Sequence, residues 1–185
     1  MQFDYYASKE WEGSLKRSAI NGSQVDTNYD WEASDLLPSP GSRKIWTSLQ
    51  GLNDDLNNFI DTKLNELNLS DKDLSLVGFS QGTMMSLHVG LRRIATMSSI
   101  VGFSGRLIRE DILSDEMKSK PPVYLIHGDQ DPMVPYSDTI NAAKILKDLD
   151  IDVQSHISPN TPHSIAQDGL EIAKKFLSSN FSQNK

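Results

Sequence analysis

The residues with the clearest capacity for chemistry lie around Ser80. The run Gly78-Phe79-Ser80-Gln81-Gly82 sets this serine between two glycines, after an apolar segment and before an amphipathic one. This pattern is typical of a sharp turn that holds the serine at positive φ and presents its hydroxyl to a base. We predict that Ser80 is a nucleophile, that both glycines prevent collisions between strand and helix, and that the Gln81 amide stabilises an oxyanion. An ordinary tight turn that contains a serine is the competing interpretation.

A serine nucleophile needs a histidine base and a carboxylate that orients the base. The run His127-Gly128-Asp129-Gln130-Asp131 follows an apolar segment, so both of its acids fall at the end of a predicted strand. Either acid could serve. Asp131 lies further out, where it can meet a histidine from the next loop, and we predict that Asp129 stabilises its own loop by an Asx-type turn. A calcium loop of Asp129, Asp131 and Asp138 is disfavoured, because the alternation of acids and the terminal glutamate are missing.

His163 is the strongest candidate for the base. It follows a predicted strand that ends near Ile157 and precedes the last predicted helix. The three groups then occur in the order Ser80, Asp131, His163, each after its own strand, which is the order expected when the serine follows such a turn. The remaining histidines lie inside a helix, on the loop of the acid and inside a strand, and are interpreted as structural: His88, His127 and His156.

Alternating strand and helix patterns must position these groups. Strands are predicted at 74–77, 100–103, 123–126 and 151–157, and helices at 49–67, from the Ser80 turn to about 95, at 136–149 and at 165–180. A polar stretch at 109–120 is also predicted to be helical. The repeated strand-then-helix order predicts an α/β fold with a mostly parallel sheet and helices on both faces.

The length of 185 residues predicts a single domain, 1–185. Its N-terminal part, 1–45, differs from the core at 46–180, because it is poor in aliphatic residues and rich in Gly, Ser, Asp and Pro. Six aromatic residues nevertheless occur there, and we interpret the segment as loosely packed loops around the sheet edge: Phe3, Tyr5, Tyr6, Trp11, Tyr29 and Trp31.

Composition excludes several classes of function. A formal net charge of −7 disfavours nucleic acid and anionic membrane surfaces as partners. The absence of cysteine excludes disulfides, thiolate metal sites and a cysteine nucleophile, and the scattered histidines predict no metal site. No apolar run approaches the roughly 20 residues that span a bilayer, and the first residues lack the pattern of a signal peptide. We therefore predict no membrane insertion and a cytoplasmic location.

Several motifs of this chain occur together in one known family. They are Leu76-Val77-Gly78-Phe79-Ser80-Gln81-Gly82, Val101-Gly102-Phe103-Ser104-Gly105, His127-Gly128-Asp129-Gln130-Asp131-Pro132-Met133-Val134-Pro135 and Pro162-His163-Ser164-Ile165. In combination, over residues 46–180, they resemble the phospholipase/carboxylesterase family of α/β-hydrolases, which includes the acyl-protein thioesterases. The resemblance implies that Ser80, Asp131 and His163 are catalytic. It also implies hydrolysis of small acyl esters or thioesters through an acyl-enzyme, without a cofactor.

The N-terminal part departs from the pattern of this family. Members begin with one or two strands and a Leu-His-Gly-type loop that supplies a second oxyanion donor, and residues 1–45 contain no match to that loop. The resemblance therefore predicts that N-terminal strands are missing or altered and that the oxyanion hole is incomplete. An exposed sheet edge would allow pairing with a second copy of the chain. The alternative function is a weak or inactive remnant that binds acyl ligands or a protein partner.

Overall fold

A computed structural model describes residues 42–183. The helices are α1 (Ser42–Leu67), α2 (Gln81–Gly90), α3 (Leu113–Glu116), α4 (Tyr136–Asp148) and α5 (Gln167–Gln183). The strands are β1 (Ser75–Phe79), β2 (Ser99–Phe103), β3 (Val123–Gly128) and β4 (Val153–Ser158). Residues 1–41, which hold most of the predicted N-terminal segment and its missing or altered strands, lie outside the described part.

The four strands form one parallel sheet in the order β1-β2-β3-β4. Phe79 pairs with Phe103, Phe103 pairs with Ile126, and Ile126 pairs with His156, so the carboxyl ends of the strands lie along one edge. The turn at Ser80 and the loops at 129–131 and 159–163 all follow these ends. The predicted α/β fold is confirmed, and it brings the three predicted site segments to the same side of the molecule.

Helices cover both faces of the sheet, as the strand composition predicts. On one face, alternate strand residues such as Leu76, Ile100 and Leu125 pack in a core that α1, α2 and α4 complete. On the other face, Val101, Phe103 and Ile126 pack against Ala173 and Phe176 of α5. Burial on both sides explains why these strands read as continuous apolar runs. Within residues 42–183, no helix combines the length and apolar character that a bilayer crossing requires.

The helix after the turn ends at Gly90, earlier than the predicted 95. A Cβ at Gly90 would lie 2.5 Å from the side chain of Ile100, so the end of α2 comes close to β2. The next residue, Leu91, is completely buried, and its carbonyl accepts hydrogen bonds from the amides of Lys118 and Ser119. The Leu91 carbonyl therefore binds residues 118 and 119 instead of the amide of a further helical turn.

Other predicted boundaries were also inaccurate: α1 begins at Ser42 instead of 49, and α5 ends at Gln183 instead of 180. The stretch 109–120 holds only a 3₁₀ turn at Glu110–Ile112 and the four residues of α3, before Pro121 and Pro122 impose extended backbone. Strand β4 begins at Val153 instead of 151, because the Ile151 amide bonds to Leu146 of α4. Helix α5 begins at Gln167 instead of 165.

Candidate active site

Ser80 occupies a strained turn between β1 and α2. Its φ of 55° and ψ of −118° lie in a region that costs a residue with a side chain about 1–3 kcal/mol. Two contacts with the end of β2 hold the turn. The Ser80 amide donates to the Phe103 carbonyl at 2.7 Å, and the buried Thr83 hydroxyl lies 2.7 Å from the same oxygen and 2.9 Å from the Gly78 carbonyl. The positive φ that the motif predicts is therefore present.

The two glycines of the motif do not play the same part. A Cβ at Gly78 would collide with the backbone of Gly82 and Thr83, so the approach of β1 and α2 requires glycine there. At Gly82 a Cβ would meet nothing within 4 Å, and the prediction that both glycines prevent collisions was wrong for this one. Gly105 was not singled out from the sequence, although a Cβ there would lie 2.8 Å from the Ser80 carbonyl oxygen. The sequence signal for it was the run Val101-Gly102-Phe103-Ser104-Gly105, which was used only as part of the family resemblance.

The Gln81 amide opens α2 directly after the serine. The first amides of a helix have no partner within the helix, and no acceptor within residues 42–183 binds this one. The amide is therefore available to a negatively charged oxygen next to Ser80. In the family that the sequence resembles, a second donor comes from an N-terminal loop. The prediction that this chain lacks that loop concerns residues 1–45, most of which lie outside the described residues.

The Asp131 side chain is completely buried, and its two oxygens have different partners. Oδ1 accepts the amides of Met133 at 2.8 Å and Val134 at 2.9 Å, whereas Oδ2 lies 2.6 Å from Nδ1 of His163. Burial raises the pKa of this carboxyl, but the Val134 amide, the His163 ring and the Met133 amide outweigh it and hold the pKa below its ordinary value. The group is therefore a carboxylate that can only accept hydrogen bonds.

His163 binds Asp131 and packs beside the Ser80 turn. Because Asp131 accepts, Nδ1 of His163 carries a hydrogen and Nε2 keeps its lone pair. The ring packs on Phe79, the residue before Ser80, with centroids 4.8 Å apart. Between the two described side chains, however, no hydrogen bond joins the Ser80 hydroxyl to His163. Such bonds are often long without substrate and shorten in the reacting complex.

The loops that carry the acid and the histidine are joined by their backbones. The Asp129 amide donates to Ser158, the Gln130 amide donates to Thr161, and Asp129 Oδ1 accepts the Thr161 amide at 3.2 Å. A Cβ at Gly128 would collide with the Thr161 carbonyl, which explains the glycine at this point. The predicted assignment of the Asx-type turn to Asp129 was wrong. Asp131 makes that turn with its own loop, and Asp129 binds the histidine loop.

Two of the other histidines, His88 and His156, have the buried or paired positions expected of structural residues. His156 on β4 pairs with Asp168 of α5 at 2.7 Å. His88 lies in α2, where burial and the positive charge of Arg92 lower its pKa to about 4. Asp138, considered for a calcium loop, pairs with Arg106 at 3.2 Å. Within residues 42–183, no three His, Asp or Glu side chains are grouped as a metal ion requires.

Comparisons with known proteins place these features in a family. A family model described as phospholipase/carboxylesterase matches residues 42–181. The solved structure of esterase PE8 is 42% identical, with a TM-score of 0.69 over 71% of this chain and 61% of that one. Acyl-protein thioesterase 1 of Gibberella zeae is 35% identical over 107 residues, which are 55% of this chain and 46% of the thioesterase.

A bacterial relative matches over a longer region. Esterase YpfH of Escherichia coli is 25% identical over 151 residues, which are 75% of this chain and 63% of that protein. The chain thus spans about half the length of the fungal thioesterase and less than two thirds of the other two proteins. The family model covers the Ser80 turn, the acid loop and the histidine loop together, and the chain belongs to the phospholipase/carboxylesterase family.

Proposed function

We propose that this chain hydrolyses carboxylic esters or thioesters of small acyl substrates through an acyl-enzyme intermediate. Ser80 is the nucleophile, His163 is the base, Asp131 orients His163, and the Gln81 amide stabilises the oxyanion. The observation that carries the proposal is the 2.6 Å bond between Asp131 Oδ2 and His163 Nδ1, next to a serine with positive φ. Because Nδ1 of His163 donates to Asp131, Nε2 carries the lone pair that can accept the proton of Ser80.

Each step uses one of these groups. As Oγ of Ser80 attacks the acyl carbon, its proton passes to Nε2 of His163, and the negative charge on the acyl oxygen is held by the Gln81 amide. When the bond to the leaving group breaks, His163 gives the proton to the departing alkoxide or thiolate, which leaves as the alcohol or thiol. Water, deprotonated by His163, then attacks the acyl-serine, and the proton returns to Oγ as the acid is released.

The substrate class follows from the chemistry and from the names of the relatives. The arrangement favours a substrate with a carbonyl carbon and a leaving group that needs one proton, which esters and thioesters both provide. The relatives reported above are named as esterases and an acyl-protein thioesterase. No cofactor is part of the proposal. Self-association through a sheet edge and a cytoplasmic location stay predictions from the sequence.

An activity-based probe tests the proposal directly. A fluorophosphonate should label the folded protein on Ser80, and Ser80→Ala should abolish both labelling and hydrolysis of p-nitrophenyl butyrate. Ser114→Ala, at an exposed serine of α3 outside the triad, serves as a control for handling and folding. Hydrolysis by Ser80→Ala at the wild-type rate contradicts the assignment of the nucleophile. A folded protein that neither labels nor hydrolyses contradicts the proposal and favours the binding remnant.

A further inference from the structure

A second histidine contacts the carboxylate that holds His163. The side chain of His127, at the end of β3, is completely buried, and its Nε2 lies 3.2 Å from Oδ2 of Asp131. This is the same oxygen that His163 approaches to 2.6 Å from the other loop. His127 has no part in the proposed chemical steps, yet it lies against their orienting group.

The hydrogen-bond partners of His127 determine which ring nitrogen carries the hydrogen. Nε2 lies 2.9 Å from the carbonyl oxygen of Val134, which can only accept, so Nε2 is the donor. Nδ1 lies 2.7 Å from the hydroxyl of Thr139 on the first turn of α4. In a neutral ring that nitrogen is the acceptor, and the Thr139 hydroxyl donates to it. Thr139 thereby keeps the Nε2 hydrogen directed toward the Val134 carbonyl, while the same nitrogen lies against Oδ2 of Asp131.

The ring completes a closed set of contacts around Asp131. The Val134 amide binds Oδ1 of Asp131 at 2.9 Å, and the Val134 carbonyl accepts the Nε2 hydrogen of His127. The backbone of Val134 therefore links Asp131 to His127. Oδ2 is flanked by the two rings, which are the ionisable side chains in contact with Asp131 among the described residues. Rotation of the carboxylate away from His163 would break contacts on both oxygens.

We propose that His127 is a positioning residue for the proposed hydrolysis: its Nε2 hydrogen bond to the Val134 carbonyl, with the ring packed against Oδ2, holds Asp131 in the orientation that binds His163. The inference rests on the proposed function only for its kinetic consequence. The positioning role can also be measured in the folded protein without any substrate. If His127 holds Asp131 in place, a change at His127 should alter the short, charged hydrogen bond between His163 and Asp131. The proton in such a bond gives a resonance downfield of the amide region in proton NMR.

Two substitutions with side chains of different length distinguish the loss of the Nε2 donor from the loss of ring volume. The side-chain amide of His127→Gln extends to the position of Nε2 and keeps a donor for the Val134 carbonyl beside Asp131, whereas that of His127→Asn reaches only the position of Nδ1. We expect His127→Asn to lower kcat on p-nitrophenyl butyrate by about ten- to a hundredfold with KM within about twofold, and to move or broaden the downfield resonance. We expect His127→Gln to keep most of the activity and the resonance. His156→Asn, which breaks a His–Asp pair that does not touch Asp131, is the matched control.

Wild-type kcat and an unchanged resonance in His127→Asn overturn the inference, as does an equal loss in Gln and Asn with the resonance intact. Should His127→Asn fail to fold, Thr139→Val removes the hydroxyl that fixes the ring and is expected to perturb the resonance. An unchanged resonance and kcat there overturn the inference too. If the wild-type protein hydrolyses no ester, the proposed function fails, and the resonance alone decides the positioning role.

Discussion

At the scale of single residues, Asp131 shows how one carboxylate performs two tasks at once. Oδ1 accepts two amides of its own loop, and this turn fixes the direction in which Oδ2 faces. Asp131 was predicted over Asp129 as the partner of the histidine because it lies further from the strand end. Asp131 does bind His163, but its distance along the loop is only part of the reason. The further acid reaches the histidine loop because its other oxygen is already bound.

The different partners predict that an isosteric change at Asp131 is far more harmful than the same change at Asp129. In Asp131→Asn the amide oxygen is needed by the two backbone amides, so the NH₂ group must face His163. A donor there forces the hydrogen onto Nε2 of His163, and we expect kcat to fall by about 10⁴-fold. Asp129→Asn keeps an oxygen for the Thr161 amide, and kcat should stay within about threefold of the wild type. Steady-state hydrolysis measures both, and similar losses in the two variants would contradict the assignment.

His88 predicts a pH dependence of stability that is separate from the active site. Burial, with the charges of Arg92 and Arg109 opposed by Glu116, lowers its pKa from 6.5 to about 4. Between these values the unfolded chain binds a proton that the folded chain does not, so His88 destabilises the fold as the pH falls. We expect His88→Leu to reduce the loss of unfolding free energy between about pH 7 and about pH 5 by roughly 1–2 kcal/mol, measured in urea. Parallel pH curves for the two proteins would rule this out.

At the scale of elements, the positions of the loops depend on glycines where backbones approach closely. Gly128→Ala should push the Thr161 carbonyl away and move the histidine loop, because its Cβ has no space. A displacement of about 1 Å at His163 is expected to lower kcat by about 100-fold, with a lower melting temperature. Gly82→Ala, at an open helical position, should instead keep or raise stability by about 0.5–1 kcal/mol. A melting temperature for Gly128→Ala equal to that of the wild type would show that the loop adjusts without cost.

The sequence identified elements better than it identified their ends. Apolar runs and helical periodicity report burial, and burial on both faces is what β2 and β3 have, so these strands were found with errors of one or two residues. The end of α2 depends on two hydrogen bonds from the amides of residues 118 and 119 to the Leu91 carbonyl, which no local pattern records. The same limit applied to the site. Strand order placed Ser80, Asp131 and His163 together, but the contact of His127 with Asp131 depends on how the 131–134 turn folds back.

At the scale of the whole molecule, Arg93 joins parts of the chain that the sheet does not hold. It is 8% exposed, and its guanidinium donates to Asp71 before β1 and to Asn57 and Asp61 of α1 at 2.7–2.8 Å. Arg93→Met should lower the unfolding free energy by about 2 kcal/mol, because three charge-assisted bonds are lost while the acids remain partly in contact with solvent. Lys63→Met breaks an exposed pair with Glu66 on the same helix and should cost less than about 0.5 kcal/mol. Urea unfolding compares the two variants. A loss for Arg93→Met no greater than for Lys63→Met would mean that apolar contacts, such as those of Ile60 and Leu64, suffice to attach α1 to the core.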